Sequence, residues 1–359
     1  MYTKSMPDKE IIRSFQIGSR QIKDDSKPLI IAEIGHNHQG KLDTALSLIR
    51  SAAQAGVDAV KFQKRSNRDL YTSNAFAAPY NSENAFGKTY GEHREALEFG
   101  PEEYEACIKE AKEQNVIFFS TAFDFASVDF LLNFDIPAFK VASGDLLNHP
   151  LLKYIASTNK PMIVSTGGAD LNQVISTVSV LEEVGASFSL LQCTAGYPPM
   201  YEELNLKVIQ KYRELFPSRI IGYSGHDNGI AMPLAAYILG ARIIEKHFTL
   251  DRTMKGTDHS FSLEPQGMRK LVRDIERAHL ALGDGVKVKY ESEISPMKKM
   301  GKMIVAKFDI EPGTKISPEL LEYRSPAEGL SPDQESLILG RICLERINQG
   351  DAITLSALG

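Results

Sequence analysis

The chain has 359 residues, 43% of them hydrophobic and 24% charged, with a net charge of −5. That is enough for one large domain and a small one, and nothing in the charge suggests a nucleic-acid or membrane surface, so an anionic substrate would need local cations. Three widely spaced cysteines, Cys107, Cys193 and Cys343, fit a reducing cytoplasm and exclude a disulfide framework or a zinc cluster. Residues 1–10 carry charges without an apolar core, unlike a signal peptide, and no apolar run is long enough to cross a bilayer.

From residue 29 to residue 282 short apolar runs alternate with helical stretches. Runs at 29–34, 59–62, 116–119, 138–141, 162–164, 188–191, 220–223 and 242–245 predict eight buried strands. Between them, Leu42, Ala45, Leu46, Ile49, Ala52 and Ala53 recur with helical period, and Gly56 stops that helix. Leu171, Val174, Ile175, Val178 and Leu181 form a second face, opened by Asp170. Met268, Leu271, Val272, Ile275 and Ala278 form the last, closed by Gly283. Eight strand–helix units over this length predict a (β/α)8 TIM barrel. The alternative, a doubly wound open sheet, lacks a glycine-rich turn after the first strand. Residues 64–100 form a long connection, expected to wall or cover the barrel mouth. The barrel spans residues 1–283. Residues 284–300 read as a linker that could stretch about 50 Å. Residues 301–359 read as a small separate module of short strands and turns, beginning with a strand at 303–310.

Barrel chemistry sits at the C-terminal strand ends. There the sequence places Glu33, then His36-Asn37-His38; Lys61 and Gln63; Thr121, Phe123 and Asp124; Lys140, Ser143 and Asp145; Ser165; Thr194 and Tyr197; Ser224 and His226; and Glu245 and His247. Two neutral imidazoles on adjacent strand ends, His226 and His247, can share one divalent metal and leave positions open for substrate. The plainer alternative makes one a core residue and the other a loop residue. A lysine inside a strand needs an anionic partner. For Lys61 and Lys140 that is either a protein carboxylate, Glu33 or Glu245, or an anionic ligand. His36-Asn37-His38 with Lys140 also suggests a metal-dependent amidohydrolase barrel. Ser165 and Thr194 then stand where that pattern needs histidines, and His247 where it needs an aspartate.

Several motifs together carry a family resemblance. They are Ile31-Ala32-Glu33-Ile34-Gly35-His36-Asn37-His38-Gln39-Gly40, Val60-Lys61-Phe62-Gln63-Lys64, Phe139-Lys140-Val141-Ala142-Ser143-Gly144-Asp145, Gly222-Tyr223-Ser224-Gly225-His226, Glu245-Lys246-His247-Phe248-Thr249 and Gly256-Thr257-Asp258-His259-Ser260. The chain resembles the sialic acid synthase family, which condenses phosphoenolpyruvate with an N-acetylmannosamine-type sugar. Its tail resembles that family's antifreeze-like (SAF) domain, which in relatives is exchanged across a homodimer. The resemblance implies that His226 and His247 hold a divalent metal, Mn²⁺ first, with Mg²⁺ or Co²⁺ as alternatives. It implies that Lys61, Lys140, Ser143 and Ser165 bind phosphoenolpyruvate, with Gln63, Thr121, Phe123, Thr194 and Ser224 nearby. Glu33, Tyr197 and Asp258 would contact the sugar, Asp145 would lie near a metal-bound water, and Arg324 would reach the sugar in the partner subunit. Glu33 or Asp145 would manage protons. Asp145 stands where many members have Glu, and Ala195 where many have Asn or Ser. The acceptor sugar, phosphorylated or not, or a 2,4-diacetamido-2,4,6-trideoxy sugar as in legionaminic acid synthesis, stays open. So does a catalytically silent sugar-binding barrel.

Overall fold

The computed structural model describes residues 13–359; residues 1–10, read above as no signal peptide, lie outside them. Two compact units divide at Leu282 and Gly283. The first opens with an antiparallel hairpin, β1 (Ser14–Ile17) and β2 (Arg20–Lys23). Eight parallel strands follow: β3 (Leu29–Gly35), β4 (Ala59–Lys64), β5 (Ile117–Ala122), β6 (Phe139–Val141), β7 (Met162–Ser165), β8 (Phe188–Cys193), β9 (Ile221–Gly225) and β10 (Ile243–His247). They pair in chain order, and β10 closes on β3, making a barrel. Among the described residues no helix is long and apolar enough to cross a membrane.

Alternation along the strands creates two cores. Outward residues such as Ile30, Ala32, Val60 and Leu190 pack against the surrounding helices, including Leu42–Gln54 and Pro265–Leu282. Inward residues at the lower end, Ile31, Ala59, Phe119, Ala138, Ile163, Leu191 and Ile243, form a second core. Phe15, Ile17 and Ile22 of the hairpin belong to it, so β1 and β2 plug the barrel floor. The sequence reading missed this hairpin. Its signal was present in the alternation of Ser14, Phe15, Gln16 and Ile17 before a turn at Gly18, where φ is 55°.

The connection between β4 and β5 is more ordered than a loop reading suggests. It holds short helices at Asn67–Leu70, Ser73–Ala77 and Tyr90–Glu95, the last opened by a reciprocal Thr89–Glu92 capping box. Tyr71 and Tyr80 meet Tyr90 edge to face within it, and Tyr80 lies tilted against His93. Gly91 is required there, because a Cβ would lie 2.4 Å from the Phe76 ring.

The second unit has its own core, including Ile304, Ile310, Ile316, Ile338, Cys343 and Ile353. Its antiparallel pair is β11 (Met303–Ala306) with β12 (Leu321–Arg324). The strand expected at 303–310 thus stops early. Asp309 turns the chain by accepting from the Gln349 backbone N–H and from Arg346. Residues 284–300, read as a linker, include a helix, Glu291–Met300.

Candidate active site

The inward positions turn polar toward the C-terminal strand ends. Register sets Glu33 beside both Lys61 and His247, Thr121 beside Gln63 and Lys140, and Ser224 beside Glu245. A cavity of about 630 Å³ opens above them. Of the residues put forward from sequence, Glu33, Lys61, Gln63, Thr121, Phe123, Lys140, Ser143, Ser165, Tyr197, Ser224, His226, His247 and Asp258 all line it.

The two lysines differ in their partners. Lys61 Nζ lies 2.7 Å from Glu33 Oε2 and 3.8 Å from Glu245 Oε1, and donates to Thr121 Oγ1 at 2.8 Å. Here the protein supplies the carboxylates. Lys140 Nζ donates to Ser165 Oγ at 2.6 Å and the Val141 carbonyl at 2.9 Å, and makes no ion pair among the described residues. It is 2% exposed, and burial pulls its pKa down. A buried ammonium whose hydrogen bonds all go to neutral groups, with the Glu245 charge acting on it only at longer range, can take an anion. Next to it, Ser143 Oγ accepts from the Gly167 N–H at 3.0 Å.

The carboxylates split in opposite directions. Burial, helped by the Glu245 charge and opposed by Lys61, pushes Glu33 up to about 7. Burial acts on Glu245 as well, but the charges of Lys140 and Lys61 outweigh it and hold that carboxyl below its usual range. Glu33 Oε1 accepts from Gln63 Nε2 at 2.6 Å, and Glu245 Oε1 from Ser224 at 3.0 Å.

His226 and His247 face each other with ring centroids 5.3 Å apart. Tyr197 lies 4.1 Å from the first and Phe261 5.0 Å from the second. Burial, reinforced at His226 by the neighbouring His247 and at His247 by Lys61, lowers both to about 3, so both are neutral. His226 Nδ1 is 3.0 Å from the Thr194 carbonyl, which can only accept. Nδ1 therefore carries the proton, and Nε2 keeps a free lone pair. His247 Nδ1 is buried without a hydrogen-bond partner, 3.8 Å from Asp258 Oδ2. Two neutral imidazoles with unused lone pairs suit a divalent cation. No cluster of three or more His, Cys, Asp or Glu is present among the described residues, so further coordination would fall to substrate and water.

Three residues put forward from sequence are not among those lining this cavity. Asp145, in the turn Ser143–Asp145, is not part of the cavity wall; its Oδ1 accepts from Asn148 at 3.2 Å. The Thr194 hydroxyl donates away, to the Glu203 carbonyl at 3.0 Å, and the residue serves the site through its own carbonyl on His226. Arg324 belongs to the second unit, where its Nε donates to Glu322 at 2.9 Å. The hydrolase alternative also loses its histidine pair. His38 stacks on Phe99 at 4.0 Å and accepts from the Gly40 N–H, while both nitrogens of His36 meet arginines. Those arginines, Arg65 and Arg94, line the cavity with His36, Asn84 and Thr257, and the sequence reading gave no role to Arg65, Arg94, Asn84 or Thr257. Arg65 continues the alternation of Lys61 and Gln63, a signal that could have found it. Arg94 comes from the β4–β5 connection, where no periodicity points inward.

The NeuB family profile matches residues 48–287, and the SAF domain profile matches residues 301–359. The chain belongs to the NeuB family. This NeuB-family chain is 39% identical to the human N-acetylneuraminate-9-phosphate synthase over 325 residues, 90% of each chain. It is 40% identical to the N,N'-diacetyllegionaminic acid synthase of Campylobacter jejuni over 331 residues, 91% of this chain and 99% of that one. Its fold matches the crystal structure of an N-acetylneuraminic acid synthetase from Leptospira borgpetersenii in complex with citrate, with TM-score 0.68 and 34% identity over 81% of this chain and 97% of that one.

Proposed function

We propose that this chain condenses phosphoenolpyruvate with an N-acetylmannosamine-type acetamido sugar, giving a nonulosonic acid and inorganic phosphate. The observation that carries the reading is Lys140, buried and without an ion pair among the described residues, facing the same cavity as Lys61 and the neutral pair His226 and His247. The names of its relatives, synthases of N-acetylneuraminate 9-phosphate and of diacetyllegionaminic acid, support that chemistry.

C3 of phosphoenolpyruvate bonds to the aldehyde carbon of the open-chain sugar, water oxygen adds at C2, and the C2–O bond to phosphate breaks. Lys140, Ser165 and Ser143 hold one anionic end of phosphoenolpyruvate, and Lys61 with Thr121 the other. Holding both ends fixes C3 against the aldehyde, which removes much of the entropic barrier. His226 and His247 would hold a divalent cation, Mn²⁺ first, which when bound supplies Lewis-acid polarisation of the sugar carbonyl. Glu33 faces the cavity with its carboxyl near neutrality, so proton handling is assigned to it rather than to Asp145. Tyr197 and Asp258 contact the sugar. Arg324 is assigned to the sugar bound in the partner subunit of a domain-exchanged homodimer. The three cysteines are buried and unpaired, which fits a reducing cytoplasm.

A phosphate-release assay with phosphoenolpyruvate and each acetamido sugar, after chelation and with Mn²⁺ restored, tests the reading. Phosphate should appear only with both substrates and the metal. No release with any acetamido sugar would sink the synthase assignment. Full release after chelation would remove the cation.

A further inference from the structure

The sheet does not tie the two histidines to each other. β9 and β10 pair through Tyr223 with Ile244, Ser224 with Glu245 and Gly225 with Lys246, and that register ends one residue short of His226 and His247. Beyond it each residue leans on a different neighbour. The His226 ring bonds the Thr194 carbonyl just past β8, whereas His247 pairs with Glu33 of β3 and its carbonyl accepts from the Leu263 N–H at 2.8 Å. Phe261 packs on both rings, with centroids 5.9 and 5.0 Å away, but an apolar contact fixes no direction. Two rings that share one cation need their separation set more closely than that.

A buried ion pair joins the two strand ends from behind. Lys246 precedes His247, and Asp227 follows His226. Glu245 and His247 point into the barrel, so Lys246 points out toward the helices, where both it and Asp227 are 1% exposed. Lys246 Nζ donates to the Asp227 backbone carbonyl and lies 3.2 Å from Asp227 Oδ1. The Tyr223 hydroxyl donates to the same Oδ1 at 2.7 Å. Gly225 makes room for this, because a Cβ there would lie 2.5 Å from Asp227 Oδ1. Stability does not explain the pair. Buried charges are costly to dehydrate, and well-packed apolar residues of similar volume often serve a fold as well or better. Asp227 Oδ2 is moreover buried without a hydrogen-bond partner among the described residues.

We propose that the Lys246–Asp227 pair, oriented by Tyr223, positions His226 and His247 for a shared divalent cation by fixing the two strand ends where their ladder stops. This rests on the cation assigned to those rings in the proposed function. Through the Asp227 carbonyl the ammonium holds the backbone next to His226, and Lys246 itself is the residue before His247. One contact therefore sets the origin of both rings. Lys246, Asp227 and Tyr223 do not line the cavity, so they act as positioning residues through the two imidazoles.

Mn²⁺ titration of the full-length, chelator-treated protein, read by electron paramagnetic resonance of the free ion, tests this beside thermal melts. The triple variant Lys246→Met, Asp227→Leu, Tyr223→Phe removes every polar side-chain group of the clamp and leaves no buried charge there. It should melt within about 3 °C of the wild type. It should nevertheless bind Mn²⁺ about 10–100-fold more weakly, the usual cost of losing groups that orient metal ligands. Asp227→Asn should do the reverse. It keeps acceptors for Lys246 and Tyr223 but removes the counter-charge of a buried ammonium, so it should melt about 5 °C or more below the wild type. Its Mn²⁺ affinity should change by less than about 3-fold. A role in packing alone would make affinity follow melting temperature across the two variants. That result would overturn the proposal, as would wild-type affinity in the triple variant or its failure to fold. A wild type that binds no Mn²⁺ would instead sink the cation reading beneath it.

Discussion

Glu33 and Asp145 are both carboxylates at strand ends, yet only Glu33 shares a wall with the lysines and histidines. Glu33→Gln keeps the acceptor for Gln63 but cannot exchange a proton. It should lower kcat for phosphate release by about 10²–10⁴-fold, the usual worth of a positioned acid–base group, with the fold checked by circular dichroism. Asp145→Asn should cost less than about 10-fold, since that carboxyl bonds Asn148 outside the cavity. A larger loss in Asp145→Asn than in Glu33→Gln would reverse the assignment. Lys61 serves both structure and binding. Lys61→Ala leaves Glu33 and Glu245 buried side by side without their shared cation, so the fold should lose about 3 kcal/mol or more in denaturant titration. The KM for phosphoenolpyruvate should rise in the same variant. At this scale the sequence was legible wherever strand alternation dictates direction: Lys61, Gln63, Lys140, Ser165, Glu245 and His247 all point inward because their neighbours point outward. Asp145 lies in a turn, where no period constrains the side chain, so the sequence could not say whether it lines the cavity.

At the scale of elements, the eight barrel strands were readable because each is an apolar run buried on both faces. The hairpin β1–β2 was missed, because its alternation runs over only four residues a strand and three buried apolar side chains, a signal far weaker than a barrel strand's. Its attachment is nevertheless specific. Asp24, just after β2, receives Arg213 at 2.7 Å and Arg13 at 2.7 Å. Burial opposes ionisation of Asp24, but the hydrogen bonds and charges of the two arginines prevail, and its pKa lies below the usual aspartate value. A folded-state pKa below the unfolded one adds stability above the unfolded value, and that stability is lost as pH falls through the folded value. Thermal melts of the wild type and Asp24→Asn should therefore differ most near neutral pH and converge below about pH 4. A gap that persists in acid would place the contribution in packing. Phe15→Ala, which empties the plug itself, should cost about 3–5 kcal/mol at every pH.

At the scale of the whole molecule, the change of pattern after Gly283 marked a second unit, and that unit carries a core of its own. What the sequence could not convey was the tether. A fully extended linker over residues 284–300 would reach about 50 Å. The helix Glu291–Met300 shortens this, since ten helical residues span about 15 Å and residues 284–290 add roughly 25 Å at most. A reach of about 40 Å still allows the second unit of one chain to serve the barrel of another. Complementation decides between service in cis and in trans. His247→Ala disables a barrel and leaves Arg324 intact, while Arg324→Ala does the reverse. Each variant alone should be nearly inactive. In an equimolar co-expression, half of randomly assorted dimers are mixed, and in trans each mixed dimer rebuilds one working site of two. Activity should then return to about one quarter of the wild-type level. Service in cis restores nothing, because no chain holds both residues, and it would end the exchanged-dimer proposal while leaving the barrel chemistry untouched.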